Sequence, residues 1–249
     1  MQTDTVGEHA RFRLVCFAGA GASAVIFDSW QEVLPQVEVC PFDLPGHGRR
    51  ADEPLCFDID SVVGIVAPMI AASRHAPFAL FGHSMGAIVA FEVARELSLR
   101  YQFHPEVLYV AARRAPHLPN PEEPWYACPT ETFFQRWADL VNMPMWIFDN
   151  PRRRATLEPI LRADCQIVQT YQFTAERLLA CPIVAVGGVA DKYCSWSQLT
   201  AWQQHTTSRC TVKILSGGHS FVTSSRSELL SLLTADLAAR GVSSGELSS

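Results

Sequence analysis

The stretch "ALFGHSMGAIVAFEVAREL" (79–97) holds the residues of this chain best suited to nucleophilic chemistry, Gly82-His83-Ser84-Met85-Gly86. An apolar run of strand length precedes them and an amphipathic run of helix length follows. Gly-x-Ser-x-Gly at a strand-to-helix junction is the pattern of a nucleophile elbow, a sharp turn that lifts the serine hydroxyl above a sheet. The glycines are needed for their lack of side chain, because a bulkier neighbour would strike the strand or helix packed beside the turn. The competing reading is a loop serine that only caps the helix.

A serine hydroxyl is a weak nucleophile at its ordinary pKa, so Ser84 needs a histidine base and an acid to orient that base, in the order Ser, acid, His. "VGGVADKYC" offers Asp191 just past one strand-like run, and "ILSGGHSF" offers His219 just past another. Both fall outside carboxyl ends of strands, where catalytic groups gather in open α/β sheets. His83 lies inside the elbow with its side chain turned from the hydroxyl, and Asp164 lies on a later helix, so they are the weaker base and acid. Asp191 could instead cap the helix near Ser195, and His219 could be a plain turn residue.

Two N–H donors must hold the negative oxygen of an acyl-transfer intermediate. In this geometry one is the amide following the nucleophile, Met85, at the positive end of a helix. The second falls in "CFAGAGASA" after the first apolar strand, at Gly19 with Ala20 next in line. The Gly/Pro turn "DLPGHGRR" (43–50) is expected to shape the site without taking part in the chemistry.

The elements that must position these groups alternate along the chain. Strand-length apolar runs occur at 12–18, 37–44, 77–82, 106–112, 181–188 and 210–218, with continuous apolarity that suits strands buried on both faces. Helical periodicity covers Asp58 to Ser73, Met85 to Arg100, about Ser195 to His205, and Ser227 to Arg240. The order predicts an α/β fold, a mostly parallel central sheet flanked by helices. Between 112 and 181 the rhythm breaks. A proline-rich loop from "RRAPHLPNPEEPWYACP" leads to helices near Thr130 to Leu140 and Arg152 to Phe173, so the chain divides into a core (1–112 and 179–240), a helical lid insertion (113–178) and a flexible tail (241–249). The aromatics and methionines of the insertion suit a satellite core, a lid with an apolar inner side, or both.

Bulk composition narrows the function classes. The 249 residues, 48% of them apolar, support a sizeable core, and the net charge of −5 with dispersed Lys and Arg excludes a basic face for nucleic acid. No run approaches the roughly 20 apolar residues of a membrane span. The start of the chain, with Asp4, Glu8 and His9, lacks the blocks of a signal peptide, so a cytoplasmic location is expected. The eight cysteines include no CxxC pair and several lie in apolar runs (Cys16, Cys40, Cys181, Cys210), which predicts reduced thiols.

With these pieces in place the chain resembles the type II thioesterases, the discrete editing enzymes of polyketide and nonribosomal peptide synthesis. The resemblance covers about residues 12 to 238. It rests on "CFAGAGASA", "DLPGHGRR", "GHSMGA", "LEPILRADCQIVQTY" and "GGHSF". It implies an α/β-hydrolase fold, a Ser84-Asp191-His219 triad and an oxyanion hole from the Gly19 and Met85 amides. It also implies removal of acyl groups from phosphopantetheine on acyl or peptidyl carrier domains, or from small acyl thioesters; the chemistry of a thioester needs no cofactor or metal, and a monomer is expected. Arg49, Arg50, Arg113, Arg114 and Arg152 to Arg154 are the candidate contacts for an acidic carrier. The chain departs from the family pattern at Ala18, Ala22, His47, which replaces the usual arginine, and Ser220. The alternatives are a broad carboxylesterase or acyltransferase on the same scaffold, and a carrier-binding module without catalysis.

Overall fold

Along the central strands, successive side chains enter two different apolar layers, because strand residues alternate between the faces of a sheet. Leu14, Cys16, Ala79, Phe81, Tyr109 and Val184 fall in one layer; Val15, Phe17, Leu80, Leu108, Val110 and Ile183 fall in the other. A sheet buried on both sides follows, covered by helices on each face. In the computed structural model, residues 12–73, 76–120, 123–174 and 177–242 are described. The start of the chain, with Asp4, Glu8 and His9, and most of the expected tail lie outside them.

The six strands are β1 (Arg13–Phe17), β2 (Glu38–Pro41), β3 (Phe78–His83), β4 (Val107–Ala111), β5 (Ile183–Gly188) and β6 (Cys210–Leu215). They pair in the order β2-β1-β3-β4-β5-β6, and every pairing is parallel. The helices are α1 (Ile59–Ala71), α2 (Met85–Arg100), α3 (Thr130–Val141), α4 (Pro151–Thr170), α5 (Trp196–Thr200), α6 (Phe221–Ser224) and α7 (Arg226–Ala239). α1, α2 and α5 cover one face with residues such as Val66, Val89 and Leu199. α7 covers the other with Leu229, Leu233 and Leu237, beside a 3-10 segment, Ala24–Glu32, that buries Phe27 and Trp30.

Strand order reverses between β1 and β3. Ligands in open α/β sheets bind at such a switch point, outside the carboxyl ends of the strands. The loop bearing Gly19 follows β1 and the turn bearing Ser84 follows β3, so these two candidates leave the sheet side by side.

The segment between β4 and β5 carries α3 and α4 and a third apolar cluster of Trp125, Phe133, Phe134, Trp137, Phe148 and Leu161. Arg162 holds it together: its guanidinium lies 4.3 Å from the Phe133 ring centre and donates to the Tyr126 and Cys128 carbonyls. The eight cysteines are free; Cys16 and Cys181 are buried as expected, but Cys40 and Cys210, on the edge strands, are half-buried.

Candidate active site

Ser84 occupies the first position before α2 with φ 55° and ψ −112°, a left-handed backbone that L-residues avoid and that costs about 1–3 kcal/mol. Neighbouring bonds hold it there. Its N–H donates to the Ala111 carbonyl at the end of β4, 2.8 Å away, and its own carbonyl accepts from Ala87 N–H. Its side chain does not cap the helix. The hydroxyl is left for another partner, so the plain capping role does not describe this serine.

That partner is His219, whose Nε2 is 3.0 Å from Ser84 Oγ; its Nδ1 is 3.1 Å from Asp191 Oδ2. Asp191 is fully buried at its side chain, and its other oxygen accepts the Tyr193 N–H at 2.8 Å. The carboxylate is thus fixed from both sides and aimed at the ring. The N-cap of α5 is Ser195, in a capping box with Gln198, so Asp191 is not needed as a cap.

The loops after β5 and β6 meet because Gly188 has no side chain. A methyl group there would lie 2.6 Å from the carbonyl oxygens of both Gly217 and Gly218. The Ala190 N–H donates to that Gly217 carbonyl, which stitches the acid-bearing loop to the histidine-bearing loop.

His83 plays a part that its position in the elbow did not reveal. Its Nε2 lies 2.8 Å from the His219 carbonyl, and since a carbonyl only accepts, Nε2 carries the proton. Burial, with repulsion from His219 added, pushes its pKa down to about 4, so the ring is neutral. A methyl group at Gly19 would lie 2.9 Å from His83 Nδ1 and 3.5 Å from the His83 carbonyl oxygen. His83 therefore braces the His219 backbone on one side and the Gly19 loop on the other. The only sequence signal was its place beside the serine.

The Gly19 N–H and the Met85 N–H, at the exposed start of the α2 amide ladder, donate to no protein acceptor among the described residues. The neighbouring amides are committed: Gly21 N–H donates to Asp164 Oδ2 at 2.6 Å and Ala24 N–H to Asp43 Oδ1 at 2.7 Å. Asp164 is thus no acid for His219. It is buried and 2.9 Å from His47 Nε2 instead.

The arginines expected to face a carrier are mostly engaged elsewhere. Arg49 pairs with Asp28, Arg50 with Glu53 and Arg154 with Glu131. Burial lowers the Arg113 pKa to about 10. Arg114 bonds Asn120; Arg152 and Arg153 are exposed and have no acidic partner among the described residues. A cleft of about 590 Å³ lies between the loop after β4 and the end of α4, lined by His117, Leu118, Gln169 and Phe173, but neither Ser84 nor His219 borders it.

Similarity to known proteins agrees with this geometry. The sequence profile of the thioesterase domain matches residues 12–237. Linear gramicidin dehydrogenase LgrE of Brevibacillus parabrevis is 36% identical, over 92% of this chain and 88% of that one. Gramicidin S biosynthesis protein GrsT of Aneurinibacillus migulanus is 33% identical, over 93% and 91%. Among solved structures, the RedJ thioesterase from the prodiginine pathway of Streptomyces coelicolor superposes with a TM-score of 0.84 at 33% identity, over 92% of this chain and 91% of that one. A chain with this sheet order, this elbow and a profile match over nearly its whole described length belongs to the thioesterase family, on the α/β-hydrolase fold.

Proposed function

We propose that this thioesterase hydrolyses acyl groups from the phosphopantetheine arm of acyl or peptidyl carrier domains, clearing stalled or misprimed units, with Ser84 as nucleophile, His219 as base and Asp191 as its orienting acid. The observation that carries the proposal is the unbroken line of short contacts Ser84 Oγ to His219 Nε2 to Asp191 Oδ2, 3.0 and 3.1 Å.

In the first half-reaction the Ser84 oxygen attacks the thioester carbonyl while its proton passes to His219 Nε2. The oxygen that becomes negative is held by the Gly19 and Met85 N–H groups, the latter helped by the α2 dipole. The C–S bond breaks, His219 returns its proton to the pantetheine sulfur, and an acyl-Ser84 ester remains. In the second half, His219 takes a proton from water, the resulting hydroxide attacks the ester, and the acid leaves as Ser84 is reprotonated. Asp191 keeps the proton on Nδ1, so Nε2 is the nitrogen with a lone pair in both halves. Residues 113–178 act as the lid over the core formed by 1–112 and 179–240. The enzyme works as a cytoplasmic monomer that meets its carrier transiently; among the described residues no helix is long and apolar enough to cross a membrane.

The word dehydrogenase in the LgrE name invites a second reading, since Gly19-Ala20-Gly21-Ala22-Ser23-Ala24 has the spacing of a dinucleotide fingerprint. Two details speak against it. The loop opens a 3-10 segment rather than an α-helix, and the carboxylates of Asp164 and Asp43 accept from amides that a pyrophosphate would need.

The test is a panel of acyl carrier thioesters of varied chain length, followed by intact mass spectrometry. Loss of the acyl group with wild type and its retention with Ser84→Ala is the expected result. Undiminished loss with Ser84→Ala, or a faster reaction with oxyesters or with amine acceptors than with thioesters and water, would redirect the proposal to a carboxylesterase or acyltransferase.

A further inference from the structure

The molecule contains a second histidine–aspartate pair, and its chemistry is unlike that of the first. His47, in the turn after β2, and Asp164, on α4, are 6% and 1% exposed, with Nε2 and Oδ2 2.9 Å apart. The other nitrogen, Nδ1, is 3.0 Å from the Pro45 carbonyl. A carbonyl only accepts, so Nδ1 holds a proton. Asp164 Oδ2 is an acceptor as well, already taking the Gly21 N–H at 2.6 Å, so Nε2 also holds one. A ring that donates from both nitrogens is an imidazolium. His219 differs because its Nε2 faces a hydroxyl, which can donate.

This pair joins three segments: the turn after β2, the lid helix α4, and the loop running from Gly19 to Ala24. A side chain at Gly21 would fall on Leu161 of α4 and lie 3.2 Å from Trp137 of α3, so the lid is seated directly on that loop. From the opposite side Asp43 accepts from Ala24 N–H, the Ser23 hydroxyl and Arg49 N–H. The loop that presents the Gly19 amide is therefore held between two carboxylates, and the one on the lid is neutralised by His47.

We propose that His47 and Asp164 form a charged latch that seats the lid helix on the Gly19 loop, and that thioester turnover requires the latch closed. His47 is a positioning residue here: it touches no substrate and acts through Asp164 and Gly21. The inference rests on the catalytic reading above for its effect on rate, but not for its geometry.

The latch is sensitive to alkali. Burial by itself lowers the His47 pKa, yet the hydrogen bond and charge of Asp164, the Pro45 carbonyl and the charge of Asp43 outweigh it, and the net direction is upward from the ordinary value. A raised folded pKa means that the imidazolium of the latch is present below that value and is lost as pH rises through it. His47 is faced by Asp164 on α4 and by Asp43 after β2, with Arg49 paired to Asp43 and the Arg50 N–H donating to the His47 carbonyl. Cys165 and Cys56 in turn lie near Asp164, and Gly19–Ser23 carry no titratable side chain. Burial raises both thiols from their ordinary range.

The experiment measures kcat and KM for a hexanoyl-pantetheine thioester between pH 6 and 10, with spontaneous hydrolysis subtracted. The variants are His47→Arg, His47→Gln and Asp164→Asn, and each fold is checked by thermal unfolding. Wild type is expected to lose kcat on the alkaline side. His47→Arg, which keeps the charge, removes that limb. His47→Gln and Asp164→Asn fall about 10- to 100-fold in kcat at pH 7 with little change in KM, and neither shows the limb. An alkaline limb that persists in His47→Arg, or wild-type kcat in Asp164→Asn, overturns the latch. Nitrogen NMR of the histidine rings gives an independent reading: a doubly protonated His47 at pH 7 is expected, and a neutral ring overturns the proposal even where every variant misfolds. Absence of thioester turnover in the wild type would instead count against the proposed function, while the NMR result still judges the latch.

Discussion

Ser84, Asp191 and His219 come from positions far apart in the chain, yet each is fixed by a local device. The serine is held by strained backbone, the aspartate by the Tyr193 amide, and the histidine by its carbonyl contact with His83. Because Asp191 fixes which nitrogen of His219 carries the proton, Asp191→Asn is expected to lower kcat about 10³- to 10⁴-fold while KM and the melting temperature stay near wild type. Steady-state kinetics on a pantetheine thioester checks this, and a loss below tenfold would remove Asp191 from the mechanism. The meeting of these three side chains was legible in the sequence because a serine, a carboxylate and an imidazole each sit at the end of an apolar run. The roles of His83 and His47 were not, since a hydrogen bond to a distant carbonyl or carboxylate leaves no periodic signal. Asp164 did leave a clue. It follows Leu161 by three residues and precedes Ile167 by three on α4, so a charged side chain shares the buried face of the helix and needs a partner there.

The elements were read best where buried apolar side chains set them. All six strands and the helices α1, α2 and α7 fall where periodicity placed them, with ends shifted by a few residues. The stretch expected as one helix from Ser195 to His205 is α5 followed by a 3-10 turn, Ala201–His205, which buries both Trp202 and His205 against the core. The 3-10 segment at Ala24–Glu32 was not expected at all, because its buried residues Ala24, Phe27 and Trp30 recur every three positions, too short a pattern to register as a helix. What periodicity could not show is how closely elements approach. A methyl group at Gly86 would fall on the Phe17 carbonyl oxygen and lie 2.5 Å from that of Ala18, so this glycine lets α2 press against the end of β1. That approach sets the start of α2, with Met85, against the end of β1 from which the Gly19 loop leaves. Gly86→Ala is expected to cost about 1–3 kcal/mol in chemical denaturation and to lower kcat more than KM. Wild-type kinetics in a folded Gly86→Ala protein would show that the spacing of α2 and β1 does not matter to turnover.

At the scale of the whole molecule, two apolar layers build the sheet and a third cluster builds the segment above it. The seam between the loops of the sheet and the segment carrying α3 and α4 is polar where Asp164, His47 and Gly21 meet and apolar where Leu161 and Trp137 approach the loop. Sequence reading found the insertion from its length and its aromatics. It could not find the seam, which depends on where α4 lies across the loops of the sheet. Nor did it foresee that most of the arginines put forward for a carrier have acidic partners or are buried within the protein. Hydrolysis by the proposed route requires that an acyl group leave the carrier sulfur, reside on one serine and then pass to water. The direct measurement mixes enzyme with a hexanoyl carrier thioester under single-turnover conditions, quenches in acid, and maps the modified peptide by mass spectrometry. A hexanoyl adduct on Ser84 that forms and decays in wild type, and never forms in Ser84→Ala, is the predicted result. Acyl release that proceeds undiminished in Ser84→Ala, or an adduct on any other residue, would contradict it.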